Sequence, residues 1–195
     1  MGYCKHDMTN QAQDWASFIQ TTRFTQRSFP PYRFIPGRHP HPIASPQGHS
    51  YVPPGHEVPQ AVYVPPERWR ESEDYLYGCD LYNHAYWWEA HEAWEGLWRL
   101  TPKGSAQRHL IQSLIQVAAA QLKIVLGRTR AALDLQESSS QHLARAMEQA
   151  GQPRFMGLHL DDWRRRIERY FELIVDPAID PPEHRPEHFP YCLPQ

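Results

Sequence analysis

Proline placement divides this chain before any other pattern does. The 19 prolines among 195 residues crowd into two stretches, Pro30–Pro66 and Pro177–Pro194, and only Pro102 and Pro153 interrupt the run between them. A proline inside a helix removes a backbone donor and clashes with the preceding turn, so long helices are confined to the middle of the chain. The length suits one domain with appendages. The reading is an N-terminal helix and proline-rich arm over 1–66, a helical bundle over 67–176 and a proline-rich tail over 177–195.

The arm is too aromatic and apolar for a simple linker. Tyr32, Phe34, Ile35, Ile43, Tyr51, Val52 and Tyr63 lie in it, whereas disordered proline linkers are poor in such residues. It is therefore expected to be ordered and wrapped over the helices. His39, His41, His49 and His56 also lie there, four of the chain's 12 histidines. Such a tract is either metal-related or polar loop chemistry. Before the arm, Trp15, Phe18 and Ile19 fall on one face of a short helix predicted over Asn10–Thr21.

In the middle stretch, Pro65-Pro66-Glu67 predicts a short helix through Tyr75 that ends at Gly78. A long helix follows from about Cys79 to Leu100, with Asp80 as N-cap. Thr101-Pro102-Lys103-Gly104 is a turn. The next helix runs from Ser105 to Leu126 and closes at Gly127. A third runs from Thr129 to about Glu137, where Ser138-Ser139-Ser140 either interrupt it or cap a following helix, Gln141–Ala150, ending at Gly151. The last is capped by Asp161 or Asp162 and has Trp163, Ile167, Tyr170, Phe171 and Ile174 on its apolar side. Strand-period alternation is absent, so the fold class is all-α: a compact antiparallel helical bundle, with the arm and the tail wrapped on it.

Projection at 100° per residue sorts the Cys79–Leu100 helix into sectors. His84, Trp87, His91, Trp94 and Trp98 share one, and Tyr86, Ala90, Ala93 and Leu97 adjoin it. Glu89, Glu92, Glu95 and Arg99 occupy the third, with Trp88 among them. His91 and Glu95, four apart, can face one cation, although the second histidine of a His-Glu-x-x-His helix is replaced by Glu95. The acidic sector is also what a solvent face looks like, with Glu95–Arg99 an i, i+4 pair. Trp88 argues otherwise, since an indole seldom points into water without a partner. On the Ser105–Leu126 helix the polar stripe is Gln112, Gln116 and Lys123. The two glutamines either donate to a carboxylate across the interface or form a wet edge.

The stretch Leu81–Arg99, LYNHAYWWEAHEAWEGLWR, followed by HLIQSLIQVAAAQLK, resembles the domain-of-unknown-function family 309. That family's first helix reads Tyr-[aromatic]-Glu-Ala-His-Glu-x-x-Glu-x-x-Trp and its second contains Leu-Ile-Gln-x-Ala. The matching positions are Glu89, Ala90, His91, Glu92, Glu95 and Trp98, then Ile115, Gln116 and Ala118. The resemblance covers roughly Cys79–Ala150. It implies a small helical domain and no established activity, and it favours a buried polar cluster around Glu89, His91, Glu92 and Gln116.

A net charge of −2 without a basic stripe argues against nucleic acid. Arg164, Arg165, Arg166 and Arg169 alternate with Glu168 and Glu172, as on a solvated face. The three cysteines are odd in number and distant in sequence, which suits reduced thiols in a cytoplasmic protein. Neither an export signal nor a membrane span is expected.

Whether the chain is an enzyme stays open. One reading is a binding or scaffold protein whose Glu/His/Gln cluster is a structural network, with Gln112, Gln116, Trp88 and Trp98 as binding residues. It would act through a protein partner or as a homo-oligomer. Another is a hydrolase-type enzyme with Glu89, His91 and Glu92 as catalytic groups, or a divalent metal on His91, Glu95, His41 and His49. A third uses Trp87, Trp94 and Trp98 to bind a small molecule or peptide.

Overall fold

Proline at a first helical position costs no hydrogen bond, and Pro66 does open the helical region. The element it opens is a 3-10 turn, Pro66–Glu71, shorter than the helix expected there. In the computed structural model, which describes residues 22–57, 60–175 and 189–195, five α-helices follow among the described residues. They are α1 (Glu73–Asn83), α2 (Trp87–Leu100), α3 (Ala106–Val125), α4 (Thr129–Ala150) and α5 (Leu160–Val175). A hairpin of two short strands, β1 (Arg154–Phe155) and β2 (Leu158–His159), precedes α5. The helix expected at Asn10–Thr21 lies outside the described residues, as does the part of the tail before residue 189. The protein is an all-α bundle in which short loops join antiparallel neighbours.

The helix expected to run from Cys79 to Leu100 is two helices. Ala85 takes a left-handed conformation at φ 63°. Tyr86 N–H then reaches back to Leu81 C=O (2.9 Å) and Ala85 N–H to Tyr82 C=O (3.1 Å). These paired bonds close a helix end with a left-handed residue, a place usually held by glycine. The His84 ring also donates to Asp80 C=O (2.7 Å), occupying one of the carbonyls of the last turn. Gly78, expected as a stop, sits inside α1 instead. A Cβ there would lie 2.2 Å from Trp94 Nε1, so the glycine makes room for a buried indole. Asp80, expected as an N-cap, is likewise a mid-helix residue.

The caps of α3 match their sequence signals. Ser105 Oγ accepts Arg108 N–H (3.1 Å). Gly127, at φ 67°, lets Arg128 N–H reach Lys123 C=O (2.9 Å). The helix after it is continuous through Ser138-Ser139-Ser140, contrary to both alternatives offered for those serines. Two of them are interface residues: Ser139 Oγ donates to Ser113 C=O (3.0 Å) and lies 2.8 Å from Ser113 Oγ, while Ser138 Oγ accepts from Gln116 Nε2 (2.8 Å). Small hydroxylated side chains let α3 and α4 approach closely and keep their own polar atoms satisfied.

Trp94, Tyr75, Tyr82, Leu97, Leu110, Ile111, Leu114, Leu143 and Ile167 fill the core. The last residues belong to it too. Phe189 packs on Tyr82 (ring centroids 5.1 Å apart), and the Asn83 side-chain amide makes two hydrogen bonds of 2.8 Å with the backbone of Cys192. Cys192 Sγ lies 3.3 Å from Cys79 Sγ, and both thiols are fully buried. No helix among the described residues is long and apolar enough to cross a membrane.

Candidate functional site

Two carboxylates fasten the arm and the residues just before it to the helices, one on each side of the break at Ala85. On α1, Asp80 is 1% exposed and accepts Phe24 N–H (2.8 Å), Thr25 N–H (2.9 Å) and the Thr25 hydroxyl (2.7 Å). At the first turn of α2, Glu89 is 5% exposed. Its Oε1 accepts Phe34 N–H (2.8 Å) and His49 Nε2–H (3.0 Å). Its Oε2 is buried without a hydrogen-bond partner among the described residues. Burial pushes the Glu89 carboxyl above the ordinary carboxylate range, and the bonds from Phe34 and His49 oppose that shift. Arg33, itself lowered by burial, lies within the electrostatic reach of Tyr86 and Glu89.

The arm is shaped to deliver His49 to this carboxylate. Tyr32 O–H donates to Pro40 C=O (2.9 Å), and its oxygen accepts His49 N–H (3.3 Å). Gly48 passes so close to the backbone of His41 and Pro42 that a Cβ would lie 2.2 Å from Pro42 O, so no larger residue fits this turn. Ser50 N–H donates to Pro42 C=O (3.0 Å). Trp88 explains its own place among acids: Phe34, His41 and His49 meet its indole edge-to-face, with centroids 5.4, 5.5 and 6.4 Å away. The outer nitrogen of the His49 ring, Nδ1, lies 2.8 Å from Ser50 Oγ. The His49 side chain is 3% exposed, while Ser50 is exposed.

Further along α2, His91, Glu92 and Glu95 form a second group. Each offers one ligand atom, and these atoms all lie within 4.8 Å of one another. His91 Nδ1 is 3.4 Å from Glu92 Oε1, and Glu95 Oε1 accepts from the exposed Arg99 (2.8 Å). All three members are half-buried, so they are neither freely solvated nor locked in the interior.

The expected cluster of Glu89, His91, Glu92 and Gln116 is thus divided. Gln116 faces α4, where its amide nitrogen donates to Ser138. Gln112 is half-buried on α3. His49 does come to α2, but to Glu89 and not to His91 and Glu95. His41 packs on Trp88, and its Nδ1 accepts Ile43 N–H (3.3 Å) and Ala44 N–H (3.2 Å). The proposed ligand set of His91, Glu95, His41 and His49 is therefore not assembled, and among the described residues Glu92 is the third member of the His91–Glu95 group. Trp87 and Trp94 are core residues, and Trp94 Nε1 donates to Tyr75 C=O (3.1 Å). Trp98 is half-buried beneath the Arg108 guanidinium, 3.7 Å from the ring centroid. The aromatic sector is committed to packing. Ser50 and Phe34 N–H were missed as members of the site. Their signal was proximity in sequence to the arm histidines, which gives no direction in space.

Residues 75–135 match the family model of a domain of unknown function, DUF309. The match takes in α1, α2, α3 and the beginning of α4, and so contains Glu89, His91, Glu92, Glu95 and Trp98. The arm lies before it. No curated protein and no solved structure matches the chain.

Proposed function

We propose that the chain is a binding protein for a divalent cation, held on α2 by His91, Glu92 and Glu95. The observation that carries this reading is the gathering of an imidazole and two carboxylates within 4.8 Å on one half-buried helix face. The i, i+4 spacing of His91 and Glu95 puts both on one side, and Glu92 closes the group from the turn between them. One nitrogen and two oxygen ligands suit zinc, manganese or iron better than calcium, which prefers oxygen alone. The buried Glu89–His49 pair belongs to a different task, holding the arm across the start of the same helix.

Three protein ligands leave coordination positions open, which is the arrangement of sites that activate water or take a substrate. Hydrolase-type chemistry at His91 and Glu92 is the second reading, and that open set is what favours it. Isothermal titration of chelator-treated protein with Zn²⁺ and Mn²⁺ tests the first. One ion per chain is expected, with affinity falling at least about tenfold in His91→Ala and in Glu95→Gln, as for loss of a ligand. Wild-type protein that takes up no ion, or variants that bind as tightly as wild type, would overturn it.

A further inference from the structure

Ser50, His49 and Glu89 stand in a line from the surface to the interior. Ser50 is exposed, the His49 ring is enclosed between Tyr32 and Trp88, and Glu89 is buried behind it. The two links measure 2.8 Å, from Ser50 Oγ to His49 Nδ1, and 3.0 Å, from His49 Nε2 to Glu89 Oε1. We propose that this line is a nucleophile relay, with Ser50 as the acceptor of an acyl group from small activated carboxylic esters.

The chemistry follows from which nitrogen carries the proton. An ionised carboxylate can only accept, so Nε2 holds the hydrogen and Nδ1 presents its lone pair to the Ser50 hydroxyl. This is the tautomer that a serine nucleophile requires, and such constellations are recognised by geometry and not by sequence order. A merely local serine–histidine bond would not need the far side of the ring to be anchored. Here that side is fixed by a buried carboxylate whose second oxygen has no hydrogen-bond partner among the described residues. Its charge is therefore available to stabilise the imidazolium that forms.

In the proposed step, Ser50 Oγ attacks the ester carbonyl carbon while its proton passes to His49 Nδ1. The bond from that carbon to the leaving oxygen then breaks, and Nδ1 returns the proton to the departing alcohol, leaving Ser50 acylated. A water molecule gives a proton to Nδ1, attacks the acyl carbon and releases the carboxylic acid. Ser50 Oγ recovers the proton. Ser50 and His49 are the catalytic residues, and Glu89 is a positioning residue. The backbone donors beside Ser50 are already engaged, Ser50 N–H on Pro42 C=O and Tyr51 N–H on Gly48 C=O. The developing oxyanion is thus left to water, which restricts the substrates to esters with good leaving groups. Base assistance of this kind is worth about 10²–10⁴-fold.

The full chain is treated with a fluorophosphonate probe and with p-nitrophenyl acetate, and adducts are located by peptide mass spectrometry. The expected result is a single adduct on Ser50, formed at least about 10²-fold faster than in urea-unfolded protein. It is lost in Ser50→Ala. His49→Gln, which keeps an N–H donor toward Glu89 but has no base, slows it by a similar factor. Glu89→Gln is expected to slow acylation at saturating ester while leaving the melting temperature near wild type. If His49→Gln alters folding, the position and rate of the wild-type adduct decide alone. An adduct elsewhere, or Ser50 labelled no faster folded than unfolded, overturns the proposal. So does labelling that vanishes with a chelator, because the relay uses no ion. Independence from chelation also keeps this test separate from that of the cation site.

Discussion

Replacing Glu89 with alanine removes the acceptor shared by Phe34 N–H and His49 Nε2–H. Both donors lie in the interior, where Phe34 is 7% exposed and the His49 ring 3%. A buried group stripped of its partner costs about 1–3 kcal/mol, so two of them amount to about 2–6 kcal/mol. Relief of carboxylate burial, which dominates the upward shift of Glu89, offsets part of this and brings the expectation to about 3 kcal/mol. For a chain of this length that is a fall in Tm of about 6–12 °C. Glutamine separates the acceptor from the charge. Its carbonyl can take both bonds and its amide replaces the unpartnered Oε2, so Glu89→Gln should stay within about 1 kcal/mol of wild type. Thermal unfolding followed by circular dichroism measures both variants, and limited proteolysis should cut residues 30–57 faster in Glu89→Ala alone. An alanine variant that melts with wild type would refute the anchoring argument. A glutamine variant as unstable as alanine would show that charge, and not the acceptor, does the holding.

Gly78→Ala drives a methyl into the Trp94 indole and should lower stability by about 1–3 kcal/mol, read from urea unfolding, even though alanine is the better helix former. His109 and His142 meet across α3 and α4 with Nδ1 atoms 3.1 Å apart. Both sit below the ordinary 6.5: burial is the first cause for each, followed by Arg145 for His109 and by His109 for His142. The unfolded chain therefore binds protons first as pH falls through 6.5, so stability should drop from pH 7 to pH 5 and less steeply in His142→Gln. Melting temperatures across that range are the check. Cys79 and Cys192 are fully buried, and burial raises the Cys79 thiol well above its usual range. Alkylation of both by iodoacetamide should therefore follow the rate of unfolding, as a comparison of native and urea-treated protein by mass spectrometry would reveal.

Local signals were legible and long-range ones were not. The ends of α3 could be read directly, because Ser105 and Gly127 act within one turn of themselves. The break at Ala85 could not, since the left-handed residue is an alanine without a glycine or proline to mark it. Gly78 misled in the opposite sense: it reads as a stop, but the reason for it is the indole of Trp94 on the next helix, which needs the space. The serine run looks like an interruption when seen alone, and Ser138 and Ser139 become an interface when α3 is laid beside them. In the site, Trp88 and Glu89 are the part of the acidic sector that is covered, while Glu92 and Glu95 are half-buried and Arg99 is exposed. What covers it is an irregular arm, and no periodicity encodes the direction of a loop. Gln116 was ambiguous for a related reason, because projection ranks faces but does not say which neighbour a face meets.

The break between α1 and α2 has a consequence for how the molecule comes apart. Within a few turns of chain, Asp80 takes the residues just before the arm, Asn83 takes the last residues and Glu89 takes the arm at Phe34 and His49. Segments far apart in sequence thus have their moorings side by side, and loosening one moves the helix pair that carries the others. Single losses at these positions should then be less than additive, because the first already releases part of what the second would.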